Sequence, residues 1–343
     1  MLPSSQDMRV RGKESNVESQ VPICAALDLG TNNCRLLIAS YDASGQSPGI
    51  KVYDSFSRIV RLGEGLSVTG ELSDEAMERT LVALKACQKK LDKYNIVRSR
   101  FVATEACRRA KNGRHFIDRV CRETGIAIDI ISTEEEARLA FMGCSSLLAD
   151  ESKRAVVFDI GGGSTELMWI DVEQVREGAH AHTITDWLSI GYGVMNLADK
   201  FGGSTFADMA FDDMVRFLVD KLRPFDEANH ISKAIGGSDV QLLSTSGTVT
   251  TLAAIHLDLP RYDRSRIDGI TLAISDIRAT TQKLLKMRPS ERFHHPCIGS
   301  DRADFIISGC AIFEAISTVW PAGHITIADR GVREGIILSL LKS

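Results

Sequence analysis

The stretch that most restricts what this chain can fold into is 155–170, A-V-V-F-D-I-G-G-G-S-T-E-L-M-W-I. Two apolar runs flank three consecutive glycines, Gly161, Gly162 and Gly163. Asp159 stands near the end of the first run, and Ser164, Thr165 and Glu166 open the second. Residues without Cβ let backbone N–H groups approach an anion closely, and phosphate is the usual guest. A dinucleotide fingerprint would need glycine where Glu166 stands, and no G-K-[ST] is present for a Walker loop. The residues after the turn are apolar and continuous, unlike a helix start, so the stretch reads as a β-hairpin that grips phosphate between two carboxylates.

A second copy supports this reading. Residues 25–39 run A-A-L-D-L-G-T-N-N-C-R-L-L-I-A, and setting Asp28 over Asp159 places Gly30 over Gly161, Thr31 over Gly162, Asn33 over Ser164 and Leu36 over Leu167. Duplicated strand-turn-strand units, each with an aspartate at a strand end, suit a two-lobed molecule that holds one phosphate chain from both sides.

At 343 residues the chain is long enough for two α/β domains, and its 44% hydrophobic and 25% charged content is that of a globular protein. A formal net charge of −4 excludes a globally basic nucleic-acid binder, so a polyanion must be met by a local patch. No apolar run approaches the ~20 residues of a membrane span. The eight cysteines include no C-x-x-C pair and are expected as buried reduced thiols of a cytoplasmic protein. Residues 1–20 are polar without an apolar signal core and are expected as a disordered tail.

Along the chain, a strand over 50–61 leads to the turn L-G-E-G-L at 62–66, and Ser73 caps a helix with Met77, Leu81, Leu84, Cys87 and Leu91 on one face. A strand at 100–104, a helix near 114–123 and a strand at 126–131 complete an alternating lobe. Ser132 then starts a helix to about 149 whose first turn holds Glu134, Glu135 and Glu136. Dipole compensation accounts for the first two, while Glu136, close to the second hairpin, is expected to face the cleft. A strand at 183–190, the turn Gly191-Tyr192-Gly193, a strand at 241–246 and a helix opening at Ser246-Gly247-Thr248 follow, the last a third candidate anion loop. Arg292, His294, His295 and Arg302 fall in a linker and helix start, with no third ligand at helical spacing to suggest a metal. A strand at 325–328 precedes the last helix.

Taken in order, D-L-G-T-N-N-C-R-L-L-I-A, R-L-G-E-G-L, A-T-E-A-C-R-R-A, E-E-A-R-L, D-I-G-G-G-S-T-E-L, S-G-T-V-T-T-L-A-A, R-A-D and D-R-G-V-R-E-G make the chain resemble the exopolyphosphatase and guanosine pentaphosphate phosphohydrolase (Ppx/GppA) family over residues 23–341. The resemblance implies an α/β fold of two ribonuclease-H-like lobes, of the actin-like ATPase superfamily, around a central cleft. The last helix is expected to return to the first lobe. The lobes are expected over 21–140 plus 325–343 and over 141–324. Long relatives carry a further helical domain after D-R-G-V-R-E-G, which this chain is expected to lack together with the processivity it supplies.

The implied activity is Mg²⁺- or Mn²⁺-assisted hydrolysis of a terminal phosphoanhydride, where positioning and electrostatics carry most of the catalysis. On the family's motifs, Glu136 is expected as base or water-orienting group and Arg108 as the phosphate-binding arginine. Asp159, Glu166 and Asp28 suit a hard divalent cation. Gly30, Thr31 and Asn32, then Gly161, Gly162, Gly163 and Ser164, and finally Ser246, Gly247 and Thr248, are expected to bind phosphates. Polyphosphate is the favoured substrate and guanosine pentaphosphate the alternative, ahead of an actin-fold kinase or a non-catalytic sensor. Neither DNA nor membrane is expected as a partner, and a homodimer is left open. Arg58, Arg61, Lys111 and Arg261 are candidates for a basic track along a polymer.

Overall fold

β1 (Cys24–Leu29) is apolar on both of its faces, and a strand of that kind belongs in the middle of a covered sheet. It pairs antiparallel with β2 (Asn33–Asp42), which pairs antiparallel with β3 (Gly49–Ile59). On its other side β4 (Arg98–Ala103) and β5 (Asp129–Ile130) add in parallel, for an order β3-β2-β1-β4-β5. The computed structural model describes residues 21–42, 49–176, 183–203, 208–236 and 239–342, and the tail expected over 1–20 lies outside them.

The second sheet repeats the first. β6 (Arg154–Ile160) takes the place of β1, antiparallel to β7 (Thr165–Asp171), which pairs with β8 (Ile184–Ile190). β9 (Val240–Ser244) and β11 (His324–Ile327) extend it in parallel and β10 (Ile270–Ala273) closes the edge, for an order β10-β11-β9-β6-β7-β8. Both expected hairpins are present, and the fold is two ribonuclease-H-like α/β lobes facing a cleft.

Strand alternation divides each sheet between two cores. Ala25, Leu27 and Leu29 face the helix Asp74–Leu91, whose start Ser73 caps by accepting the Ala76 N–H. Cys24 and Ala26 face the other way, onto Ile336 and Ile337 of the last helix, Val332–Lys342. In the second lobe Val156, Phe158 and Ile160 enter the large core around the buried helix Ile306–Val319, while Ala155 and Val157 meet Ala137 and Phe141.

The helix Thr133–Cys144 therefore serves both lobes, with Leu139 and Ala140 in the first core and Ala137, Phe141 and Cys144 in the second. It crosses the last helix backbone against backbone, since a Cβ on Gly335 would lie 1.9 Å from the Leu139 carbonyl oxygen. The expected lobe boundaries shift accordingly. The division at 140 falls inside a helix common to both lobes, and the strand expected in the first lobe at 325–328 is β11 of the second sheet, its Ile325 and Ile327 in the second core. Only the last helix returns to the first lobe. The strand expected over 126–131 shortens to β5, because only Asp129 and Ile130 find partners on β4.

Seven of the eight free cysteines are buried, Cys121 being exposed. Arg292, expected in a linker, is 4% exposed and gripped at 2.5 and 2.7 Å by the two carboxylate oxygens of Asp208. Among the described residues no helix is long and apolar enough to cross a membrane.

Candidate active site

The cleft lies where the C-terminal ends of the parallel strands of both sheets face each other, the usual place for a ligand in such sheets. Asp28 and Asp159 occupy equivalent positions near the ends of β1 and β6. After each, a tight turn closes on itself. Gly30 donates its N–H to Asn33 O and Gly161 to Ser164 O, both at 2.9 Å. These two N–H groups are therefore committed within their loops, contrary to the expectation that they would face a phosphate.

The next peptides in each loop are held the other way round. In the second lobe the carbonyls of Gly161 and Gly162 accept N–H groups from Val194 and Met195, and that of Gly163 accepts from Asn196 Nδ2. In the first lobe Thr31 O accepts from Gly63, and Asn32 O from both Val60 and Arg61. In a trans peptide the N–H points opposite to the carbonyl before it. Tying these carbonyls back thus leaves the N–H groups of Asn32, Gly162, Gly163 and Ser164 without an intramolecular acceptor among the described residues. The clamps explain two motifs that have no phosphate role of their own. A Cβ on Gly193 would sit 2.5 Å from Gly161 O, so only glycine permits that backbone approach, and one on Gly63 would sit 2.4 Å from Thr31 Cγ2 and push that methyl aside.

The loops also meet each other. A Cβ on Gly162 would touch Asn32 at 3.1 Å, and one on Gly163 would lie 2.7 Å from Thr31 Oγ1. The two aspartate-bearing turns thus converge on one gap. Gly247 and Thr248 reach it from the N-terminus of the helix Gly247–His256, but Ser246 does not. Its hydroxyl is spent as that helix's cap, accepting the Thr248 N–H, and the residue is fully buried.

Glu136 lines the same cleft from the first turn of the helix Thr133–Cys144, whose start Ser132 caps. Burial pushes its carboxyl well above the usual range, with Glu166, Asp28 and Asp159 adding to the rise and Arg108 opposing it. Arg108 stands behind Glu136 rather than on the cleft surface, bonded also to Glu105 and Ile131 O. Burial likewise raises Asp159 to about 6, against the opposing charge of Arg35, and raises Glu166 to about 7. Glu166, opposite Asp159 on the neighbouring strand, lies outside the cleft lining and accepts from Ser189 Oγ at 3.1 Å.

No three carboxylate, histidine or cysteine side chains close around one metal position among the described residues. The cleft instead offers Asp28 and Asp159 at separate strand ends, a set that suits Mg²⁺ held by one or two carboxylates, water and substrate phosphates better than an all-protein cage. Four acids, Asp28, Glu105, Glu136 and Asp159, against Arg35 and Arg302 in the lining would repel a polyanion without such a cation. The residues fit the group.

The Ppx/GppA phosphatase family model matches residues 38–343. The chain belongs to that family. It is thereby a phosphoanhydride hydrolase. Among curated proteins it is 29% identical over 330 residues to exopolyphosphatase 2 of Mycobacterium tuberculosis, covering 92% of this chain and 98% of that one. It is also 29% identical to the bifunctional 3-dehydroquinate synthase/phosphatase of Fusobacterium nucleatum, with 92% of this chain matched to 46% of that protein, so the chain spans about half that relative's length. Among solved structures, an Aquifex aeolicus Ppx/GppA family member superposes with a TM-score of 0.72 at 26% identity, covering 94% and 98% of the two chains. An exopolyphosphatase from Cytophaga hutchinsonii gives 0.79 at 25%, covering 93% and 98%.

In this Ppx/GppA chain the structure adds residues that the sequence reading left unassigned. Arg35 on β2 pairs across the strands with Asp28, and its Nη2 comes within 3.9 Å of where a Gly247 Cβ would be, so it reaches toward the other lobe. The overlay of the two hairpins sets Arg35 over Glu166, but Glu166 lies outside the lining, so the overlay by itself does not place Arg35 in the cleft. Thr104 and Glu105, at the end of β4, and Arg302 also line the cleft, and only tertiary contact reveals them.

Proposed function

We propose that this chain is an exopolyphosphatase, releasing orthophosphate from the end of inorganic polyphosphate by water attack on the terminal phosphorus. The observation that carries this reading is the pair of turns whose carbonyls are tied back and whose unpartnered N–H groups face one gap with Glu136 on its wall. Preorganised donors aimed where charge develops are the largest contribution an enzyme makes to phosphoryl transfer. The N–H groups of Asn32, Gly162, Gly163 and Ser164 would hold the terminal phosphate, and Gly247 and Thr248 the next one.

Glu136 would orient the attacking water and take its proton, and a carboxylate raised by burial is a stronger base than a solvated one. Arg108 would hold that carboxylate in place. Mg²⁺, when bound by Asp28 and Asp159, supplies neutralisation of the phosphate oxygens, while Glu166 adds negative charge from behind. The name exopolyphosphatase 2 of the M. tuberculosis relative, matched along 98% of its length, supports polyphosphate over a nucleotide.

The test is orthophosphate release with Mg²⁺ from short polyphosphate and from guanosine pentaphosphate at matched concentration. Faster release from polyphosphate is expected. Release from the nucleotide alone would overturn the substrate, and release from neither would overturn the hydrolase.

A further inference from the structure

We propose that Arg61 takes a phosphate of an extended chain beyond the reacting group, and that Asp304 occupies its guanidinium until the chain arrives. This rests on the exopolyphosphatase reading above.

Arg61 sits on the turn that clamps the first phosphate loop. Its own N–H and that of Val60 both donate to Asn32 O, so its backbone is tied to that loop. It holds a left-handed conformation at φ 47°, uncommon for a residue with a side chain, and such conformations persist where surrounding bonds over-determine them. The side chain leaves the first lobe altogether. Its Nη2 lies 2.9 Å from Asp304 Oδ2 of the second lobe, and its guanidinium lies 5.6 Å from the ring centroid of Phe305, which lines the cleft. One turn thus carries both the clamp on Asn32 and an arginine whose guanidinium stands beside Phe305 of the cleft wall.

The alternative is a strut that holds the lobes together, and the exposure of the pair argues against it. The two side chains are 31% and 42% exposed, and ion pairs this open contribute little to stability. The short helix that follows, Leu66–Thr69, meets the second lobe at Ser67 Oγ and Asp199 Oδ2, 3.0 Å apart, so contact between the lobes does not depend on Arg61. A weak pair is easily exchanged, and a polyphosphate presents charged oxygens at every repeat to a planar fork suited to them. Asp304 without Arg61 would be a bare carboxylate beside a polyanion cleft. With Arg61 it is neutralised when the cleft is empty and gives way when a chain is long enough to compete.

The test is equilibrium binding, by calorimetry with Mg²⁺, of tripolyphosphate and of long-chain polyphosphate to Glu136→Gln protein, alone and combined with Arg61→Ala, Arg61→Lys or Asp304→Asn. For the long chain, Arg61→Ala is expected to weaken binding about tenfold and Asp304→Asn to tighten it about fivefold, with Arg61→Lys between Arg61→Ala and the parent. The effect on tripolyphosphate should be much smaller in each case. Equal shifts at both lengths, or weaker long-chain binding in Asp304→Asn, would make the pair a strut and overturn the proposal. Asp304→Asn keeps the shape of the side chain, so the test survives a folding defect in the arginine variants. If wild-type protein releases phosphate from polyphosphate but the variants show no length-selective change in binding, this proposal alone fails, whereas wild-type protein that releases none sinks the parent reading with it.

Discussion

Both terminal nitrogens of Arg108 lie 3.2 Å from Oε2 of Glu136. The same guanidinium bonds Ile131 O at 2.8 Å and Glu105 Oε2 at 2.7 Å, so two partners besides Glu136 hold it in place. The carboxylate proposed as base, in the first turn of one helix, and its holder in the short helix Glu105–Arg109 are thus locked together, and the chemistry proposed for the cleft depends on that lock.

Replacing Glu136 by Gln keeps the side-chain shape but removes the proposed proton acceptor. Steady-state phosphate release should fall by about 10²- to 10⁴-fold, while thermal denaturation shows a folded protein. A rate near wild type would remove Glu136 from the reaction.

Arg108 is the one group among those acting on Glu136 that lowers its raised pKa, against burial and three acids. Arg108→Met should therefore move the acidic limb of the pH–rate profile to higher pH, because the base must be ionised to act. A limb that stays in place would make Arg108 only a structural partner.

A methyl group on residue 193 would meet Gly161 O at 2.5 Å and Gly162 C at 2.5 Å, both backbone. Gly193→Ala should cost about 1–3 kcal/mol in urea denaturation and raise KM as the Gly162 and Gly163 N–H groups lose their aim. Unchanged KM would separate the clamp from phosphate binding.

Glu334 lies in the opposite electrostatic situation to the cleft acids. Burial pushes its carboxyl up, but the guanidiniums of Arg333 and Arg264 and the N–H of Gly331 outweigh it and hold the group below its ordinary value. A depressed carboxylate contributes stability that is complete above its unfolded-state pKa, about 4.3, and is lost as pH falls through the lower folded value. The stability advantage of wild type over Glu334→Gln should therefore be constant from pH 7 to pH 5 and shrink below about pH 4 in urea titrations. An advantage that does not change on acidification would contradict the depressed value.

The hairpins were legible because their signals are local. An aspartate at a strand end, glycines in the turn and an apolar return strand lie within sixteen residues at 155–170, and each constrains the next through backbone geometry. The Ser73 and Ser132 helix starts were readable for the same reason. Gly63 and Gly193 were visible only as turn residues, since their function is to admit a neighbouring loop that is distant in sequence. Ser246 shows the converse, a residue type suited to phosphate whose hydroxyl the helix itself consumes.

The sequence by itself determined the strand-turn-strand units, their duplication, the aspartates that end β1 and β6 and the placing of Glu136 in a helix's first turn, because bonds within a few residues decide all of these. Only the tertiary structure decided that Arg108 stands behind Glu136, that Glu166 lies outside the cleft, that Arg35 and Glu105 line it, and that one helix belongs to both lobes. These are matters of which surfaces meet, and they are set by packing two sheets and their shared helices against one another, a constraint that no short window of sequence contains.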